Sequence, residues 1–222
     1  MLARTMDATW LLERLVILIP LILSLSVHEW AHAYSAYRLG DDTAARLGRM
    51  TLSPLSHIDL FGTILLPLMG VPFGWAKPVP VNPARFTRRI HMRTGMMLTA
   101  SAGPLANLVL AVLCIVLIGL LLRVAGDFYL SNPAVGTLLK TGFQLNIGLA
   151  VFNMLPIPPL DGSRIADWLM PLRLRPLWER FSQYGMIVLV VLMFVPGLHL
   201  IQWPLEQAFR AADSLLRVIV GA

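Results

Sequence analysis

The chain has 222 residues and a mass of 24.6 kDa, with 57% apolar residues, 14% charged residues and a mean hydropathy of +0.71. Soluble domains run near ~45–50% apolar and ~25% charged, so too little charge remains here to cover a water-exposed surface. Disorder is excluded by the hydrophobicity and a disulfide scaffold by the single cysteine, Cys114. The net charge of +6 comes without a basic helix interleaved with aromatics, so it reads as loop arginines orienting a membrane protein, not as a nucleic-acid surface.

The first apolar stretch, Leu15–Val27, keeps helical spacing to about Tyr37 and predicts a span over about 10–38. No small-residue cleavage site follows it, so a retained span is expected and not a signal peptide. Residues 48–83 are rich in Gly and Pro and end in Lys77-Pro-Val-Pro-Val-Asn-Pro83. Those prolines argue against helix and for β or polyproline geometry, so a β-like loop dipping into the membrane is expected. Backbone of that kind survives at membrane depth only beside protein or a wet cavity.

Met96–Leu122 predicts the second span, over about 95–123, interrupted by Gly103–Pro104 and Asn107. A third, over about 141–155, is short and runs into Pro156, Pro158 and Pro159, where a helix must stop. The fourth covers about 183–202. In the tail, Leu205, Ala208, Phe209, Ala212, Leu215, Leu216 and Ile219 fall at helical spacing and predict an interfacial amphipathic helix. The expected fold is therefore an all-α polytopic membrane protein. It is a single domain over 1–222, with about four transmembrane helices, the re-entrant loop and the C-terminal helix.

Arginine and lysine give the orientation. Residues 38–93 carry eight and residues 164–180 carry four, against six in the remaining segments. The bias favours both termini outside and the two basic segments in the cytoplasm.

Chemistry concentrates at His28-Glu-Trp-Ala-His32. Four residues turn a helix by about 400°, so the two imidazoles share one face and can hold one Zn²⁺, with Glu29 able to reach a metal-bound water. A charged residue at the end of an apolar helix costs ~2.5–3.5 kcal/mol on insertion scales, which a divalent cation would offset. A catalytic zinc takes three protein ligands and a water. Cys114, among leucines, reads as packing. Asp161 follows the Pro-rich corner Asn153-Met-Leu-Pro-Ile-Pro-Pro-Leu-Asp-Gly162 and has two open readings: a ligand turned into the bundle, or an N-cap for a helix starting at Ser163. Gly162 would allow close approach or a positive φ. His57 reads as a loop hydrogen-bonder, and His91 and His199 as interfacial. Asn107 either packs across helices or faces the active cavity, where it is a candidate substrate contact.

Four blocks, in order, resemble the site-2 proteases, intramembrane zinc metalloproteases of peptidase family M50: His28–His32; Gly74-Trp-Ala-Lys-Pro-Val-Pro-Val-Asn-Pro83; Ser101-Ala-Gly-Pro-Leu-Ala-Asn107; and Asn153-x-x-Pro-x-Pro-x-Leu-Asp-Gly162. By that resemblance His28, His32 and Asp161 bind one Zn²⁺ per chain, Glu29 is the general base, and Asn153 lies near the reacting carbonyl. The implied substrate is a transmembrane protein in the lipid bilayer, with no nucleic-acid partner. The implied location is a bacterial cytoplasmic membrane, with the active site towards the cytoplasm. Lys77, Pro78, Val79, Pro80 and Val81 form a candidate edge that captures unwound substrate by strand addition, or a loop stiffened by proline. The 16 residues Gly126–Thr141 are too few for a PDZ-type module, which needs at least ~50 residues, so a minimal catalytic core is expected. Two other classes compete: a metal-binding or metal-transporting membrane protein, and an inactive relative. Intact Glu29 argues against the inactive relative. Ligands gathered at one level, with no mirrored second half, argue against a transporter.

Overall fold

A computed structural model describes residues 8–69, 74–194 and 199–221. Among the described residues, ten α-helices run in the order α1 (Ala8–Arg38), α2 (Thr43–Arg46), α3 (Leu66–Leu68), α4 (Met92–Val124), α5 (Gly126–Ser131), α6 (Pro133–Asn153), α7 (Asp161–Leu169), α8 (Arg175–Gln183), α9 (Gly185–Phe194) and α10 (His199–Val220). The described residues contain no strand.

α1 keeps its apolar run and the two histidines on one continuous helix of 31 residues. It ends where Gly40 takes a φ of 106°, a left-handed turn that a side chain resists. A side chain there would also press on the backbone of Arg85 and Thr87, the segment that leads into α4. α4 starts at an N-cap formed by His91, whose ring accepts from the Arg93 N–H. It packs along both α1 and α6 and forms the centre of the molecule.

The loop differs from its expectation. Leu60–Leu65 forms a π-helical turn that runs into α3, in place of a hairpin. Asp59 starts it by accepting from the Gly62 N–H at 2.7 Å, and Pro67 falls in the first turn of α3, where a missing donor is tolerated. Residues 74–82 are irregular backbone, stretched across the mouth of the bundle, with no ladder partner.

Two described helices are long and apolar enough to cross a membrane, α4 and α6. α6 begins at Pro133, earlier than the expected 141, because Pro133 sits at the helix start where its fixed φ suits the first turn. Its 21 residues rise about 31 Å, close to a bilayer core of ~30 Å. Only 28% of the apolar stretch of α4 is buried, so Leu105, Val109, Val112 and Leu113 show an apolar band outward. Of the expected fourth span, the described part is α9, with 10 residues, followed by α10 from His199; Pro196 and Gly197 lie outside the described residues.

The tail also differs. Leu205, Ala208, Ala212, Leu215 and Leu216 of α10 pack on the cluster of Ala111, Ile115, Ile118, Phe143 and Ile147 from α4 and α6. Phe209 meets Phe143 edge-on at 5.6 Å, and the Ile219 carbonyl accepts from Arg123 at 3.1 Å. An amphipathic face settles on whatever apolar surface is near. Here α4 and α6 supply that surface.

Candidate metal centre

α1 places His28 and His32 one turn apart on the face turned towards α4, and both are buried. Their Nε2 atoms lie 3.0 Å apart. Asp161, the first residue of α7, brings its Oδ2 to 3.2 Å from each of them. Asp161 does not cap the helix: Leu160 holds the N-cap position, and no side chain makes a capping bond. Gly162 allows this placement by close approach and not by a positive φ. A methyl group on it would fall inside contact distance of the Met154 and Leu155 backbone.

Hydrogen bonds behind the rings show which nitrogens are bare. His32 Nδ1 lies 2.7 Å from the Thr99 carbonyl oxygen, which can only accept, so the proton of the neutral ring sits on Nδ1. His28 Nδ1 lies 2.6 Å from Asn107 Oδ1 and donates to it in the same way. Each neutral imidazole then offers an unprotonated Nε2. With both rings neutral, three lone-pair atoms face one another, and Asp161 Oδ2 is buried with no other polar partner. Such a cluster repels itself unless a cation occupies its centre, so His28, His32 and Asp161 fit a divalent metal ion.

α4 comes close enough to make these contacts because Gly103 has no side chain. A Cβ there would lie 2.6 Å from His28 Cε1 and closer still to His32 Nε2. Pro104, next along, has no N–H to give to the turn before it. The carbonyl left without its helical donor is that of Ala100; Thr99, whose carbonyl receives His32, comes one residue before it.

Glu29 is buried beside the pair, and its Oε2 accepts from the Val79 N–H at 2.8 Å. A cavity of about 450 Å³ opens over these groups, walled by α1, α4, the 74–82 segment, Asn153, Asp161 and Arg164. Asn153 gives one amide hydrogen to the Leu149 carbonyl at 3.0 Å and keeps its remaining polar capacity at the wall. Of the candidate substrate residues, Pro78, Val79 and Val81 line the cavity, whereas Lys77, Pro80 and Asn107 do not. Lys77 anchors its segment instead: its N–H donates to the His57 carbonyl at 2.8 Å and its own carbonyl accepts from Arg49 at 2.8 Å. Asn107 is fully buried behind His28, because the close approach at Gly103 carries the next turn of α4 past the back of the imidazole.

Several contributors escape sequence reasoning. Thr99 acts through its backbone. Arg49 holds the 74–82 segment at its middle, through the Lys77 and Pro78 carbonyls, and Asp41 holds its end, Oδ2 accepting from the Asn82 N–H at 2.6 Å. Asn146 stands behind Asn107. A polar residue in the middle of an apolar helix was the available signal for Asn146. His57 is a loop hydrogen-bonder, its Nε2 lying 2.7 Å from the Thr51 carbonyl oxygen.

A model of peptidase family M50 matches residues 124–196. A protein of Bacillus subtilis named "Putative zinc metalloprotease YwhC" is 42% identical over 204 residues, covering 91% of this chain and 90% of its own length. The Rip2 protein of Mycolicibacterium smegmatis, whose name carries the same zinc metalloprotease description, is 31% identical over 195 residues, covering 86% of this chain and 71% of its own. MJ0611 of Methanocaldococcus jannaschii, likewise named, is 40% identical over 74 residues, 31% of this chain. No solved structure matches. With a relative this similar along nearly the whole of both chains, the chain belongs to peptidase family M50.

Proposed function

We propose that this chain is a zinc-dependent endopeptidase that cleaves membrane proteins in or near their transmembrane segments. The observation that carries it is the meeting of His28 Nε2, His32 Nε2 and Asp161 Oδ2 at 3.0–3.2 Å beside a buried glutamate, at the floor of a cavity. Three corners of a tetrahedron with ~2.0 Å bonds lie ~3.3 Å apart, so the spacing suits one zinc ion with a fourth position towards the cavity.

Bound there, zinc would supply Lewis-acid polarisation and lower the pKa of water towards ~7. Glu29 takes a proton from the attacking water and returns it to the leaving nitrogen. The Val79 N–H on Oε2 fixes the carboxylate, leaving Oε1 for that work. Asn153 stands at the cavity wall where a carbonyl oxygen gains charge, and an amide N–H placed there stabilises it. The 74–82 segment has neither ladder partner nor helix, so an unwound substrate can lie along it, with Pro78, Val79 and Val81 at the wall.

A membrane setting is supported by the bare apolar band of α4, which in water would be an aggregation surface. The distribution of basic residues favours both termini outside and the site towards the cytoplasm. The test compares the wild type with Glu29→Gln, in detergent and in cells. The variant keeps one zinc per chain, loses turnover by ~10²–10⁴-fold, and lets membrane peptides accumulate that the wild type removes. Turnover near the wild-type rate in Glu29→Gln overturns the assignment.

A further inference from the structure

His32 is held by a backbone carbonyl, but His28 is held by a side-chain amide, which has two possible orientations. Something must choose between them. Asn146 of α6 is buried, and its Nδ2 lies 2.8 Å from the Gly142 carbonyl oxygen and 2.8 Å from Ser24 Oγ. A carbonyl only accepts, so this end of the Asn146 amide is the NH₂ end and its Oδ1 faces Asn107. That oxygen in turn only accepts, so the Asn107 atom 2.7 Å from it is Nδ2, which also reaches the Ser24 carbonyl at 3.4 Å. Asn107 Oδ1 therefore faces His28 Nδ1, which must carry the proton, and Nε2 is left bare. No amide in the row can flip without setting oxygen against oxygen or N–H against N–H in a buried site.

We infer that Asn146 is a positioning residue for the metal site: through Asn107, and referenced to the Gly142 carbonyl, it selects the His28 tautomer that presents Nε2 to the ion. This rests on the reading of His28, His32 and Asp161 as metal ligands. It ties α6 to the ligands, a fourth helix beside α1, α4 and α7, through a side chain that makes no hydrogen bond to a ligand itself.

The experiment uses the full chain in detergent, with zinc affinity measured by chelator competition and histidine tautomers read from ¹⁵N imidazole shifts of the metal-free protein. In the wild type, His28 is protonated on Nδ1. Asn146→Leu keeps the size, leaves only the long 3.4 Å bond to the Ser24 carbonyl to orient Asn107, mixes the His28 tautomers and weakens zinc binding by ~10–100-fold, as loss of an outer partner of a metal ligand does. In an Asn107→Asp background both oxygens accept, so adding Asn146→Leu costs less than ~3-fold more. A wild-type His28 protonated on Nε2 overturns the inference with no variant needed. So does wild-type zinc affinity in Asn146→Leu, or an equal loss from that change in the Asn107→Asp background, which would mean packing alone. A wild type that binds no stoichiometric zinc refutes the metal-site reading itself, a result separable from all of these.

Discussion

Gly103→Ala is the sharpest single test of the metal centre. The added methyl would start 2.6 Å from His28 Cε1, against the 3.4 Å at which ordinary contact begins, and closer again to His32 Nε2. Either α4 backs away from α1 or both rings swing. Overpacking of this kind costs ~1–3 kcal/mol. Swinging the rings also breaks their bonds to Asn107 and Thr99, at ~1 kcal/mol net for the pair or more. The total of ~2–4 kcal/mol falls on the ligands, so zinc affinity should drop by roughly 30- to 1,000-fold. Folding should suffer less, because alanine favours helix over glycine by up to ~1 kcal/mol. The assay is chelator competition for zinc beside a thermal melt of the metal-free protein. Gly148→Ala is the control: nothing lies within 4 Å of a methyl group there, so the change should be neutral or mildly stabilising. If Gly103→Ala binds zinc within ~3-fold of the wild type, the close approach of α4 has no bearing on the ligands and the reasoning fails.

Arg49→Ala removes the guanidinium that holds the Lys77 and Pro78 carbonyls at 2.8 and 3.2 Å. Hydrogen exchange at the Val79 amide should quicken by ~10-fold and cleavage should fall while zinc content holds; parallel loss of zinc would instead mean general misfolding. Asp41→Ala strands the Asn82 and Thr43 N–H groups, at ~1–3 kcal/mol each, and should lower the melting temperature by several degrees; an unchanged melt would refute that. Asn153→Leu should reduce kcat by ~10²-fold with KM and zinc affinity little changed, and a rise in KM alone would remove Asn153 from the transition state.

The parts of the site that could be read in the sequence share a property: their geometry is local. His28 and His32 are one helical turn apart, so their convergence follows from the pitch of α1, and Glu29 comes with them. Asp161 is different. Its local sequence favoured a ligand but left an N-cap open, and the turn imposed by Pro156–Pro159 and the close docking of Gly162 on the Met154–Leu155 backbone bring it home. Thr99, Asn107 and Asn146 depend on how deeply α4 settles against α1 and α6. A list of residues does not encode that depth, although Gly103 allows it. The all-α class was legible in the apolar helical stretches, and the details that differ do so for related reasons. Proline in 48–83 was weighed as a helix breaker, yet Pro67 falls in a first turn where it does no harm. Pro133 begins α6 instead of ending anything, and the amphipathic tail packs on α4 and α6.

Thr99, Gly103 and Asn107 lie four residues apart, a single stripe of α4 that steadies one imidazole, makes room for both and steadies the other. A rotation of α4 by one residue, about 100°, would replace all three contributions together. The junction of α1 with α4 therefore has no slack to give when a peptide must be let in. The opposite wall, 74–82, has no sheet or helix of its own and is held by separate hydrogen bonds to Glu29, Arg49, Asp41 and the His57 carbonyl, which can be given up one at a time. A jaw locked by helix packing and a jaw held by single hydrogen bonds face each other across one cavity of about 450 Å³.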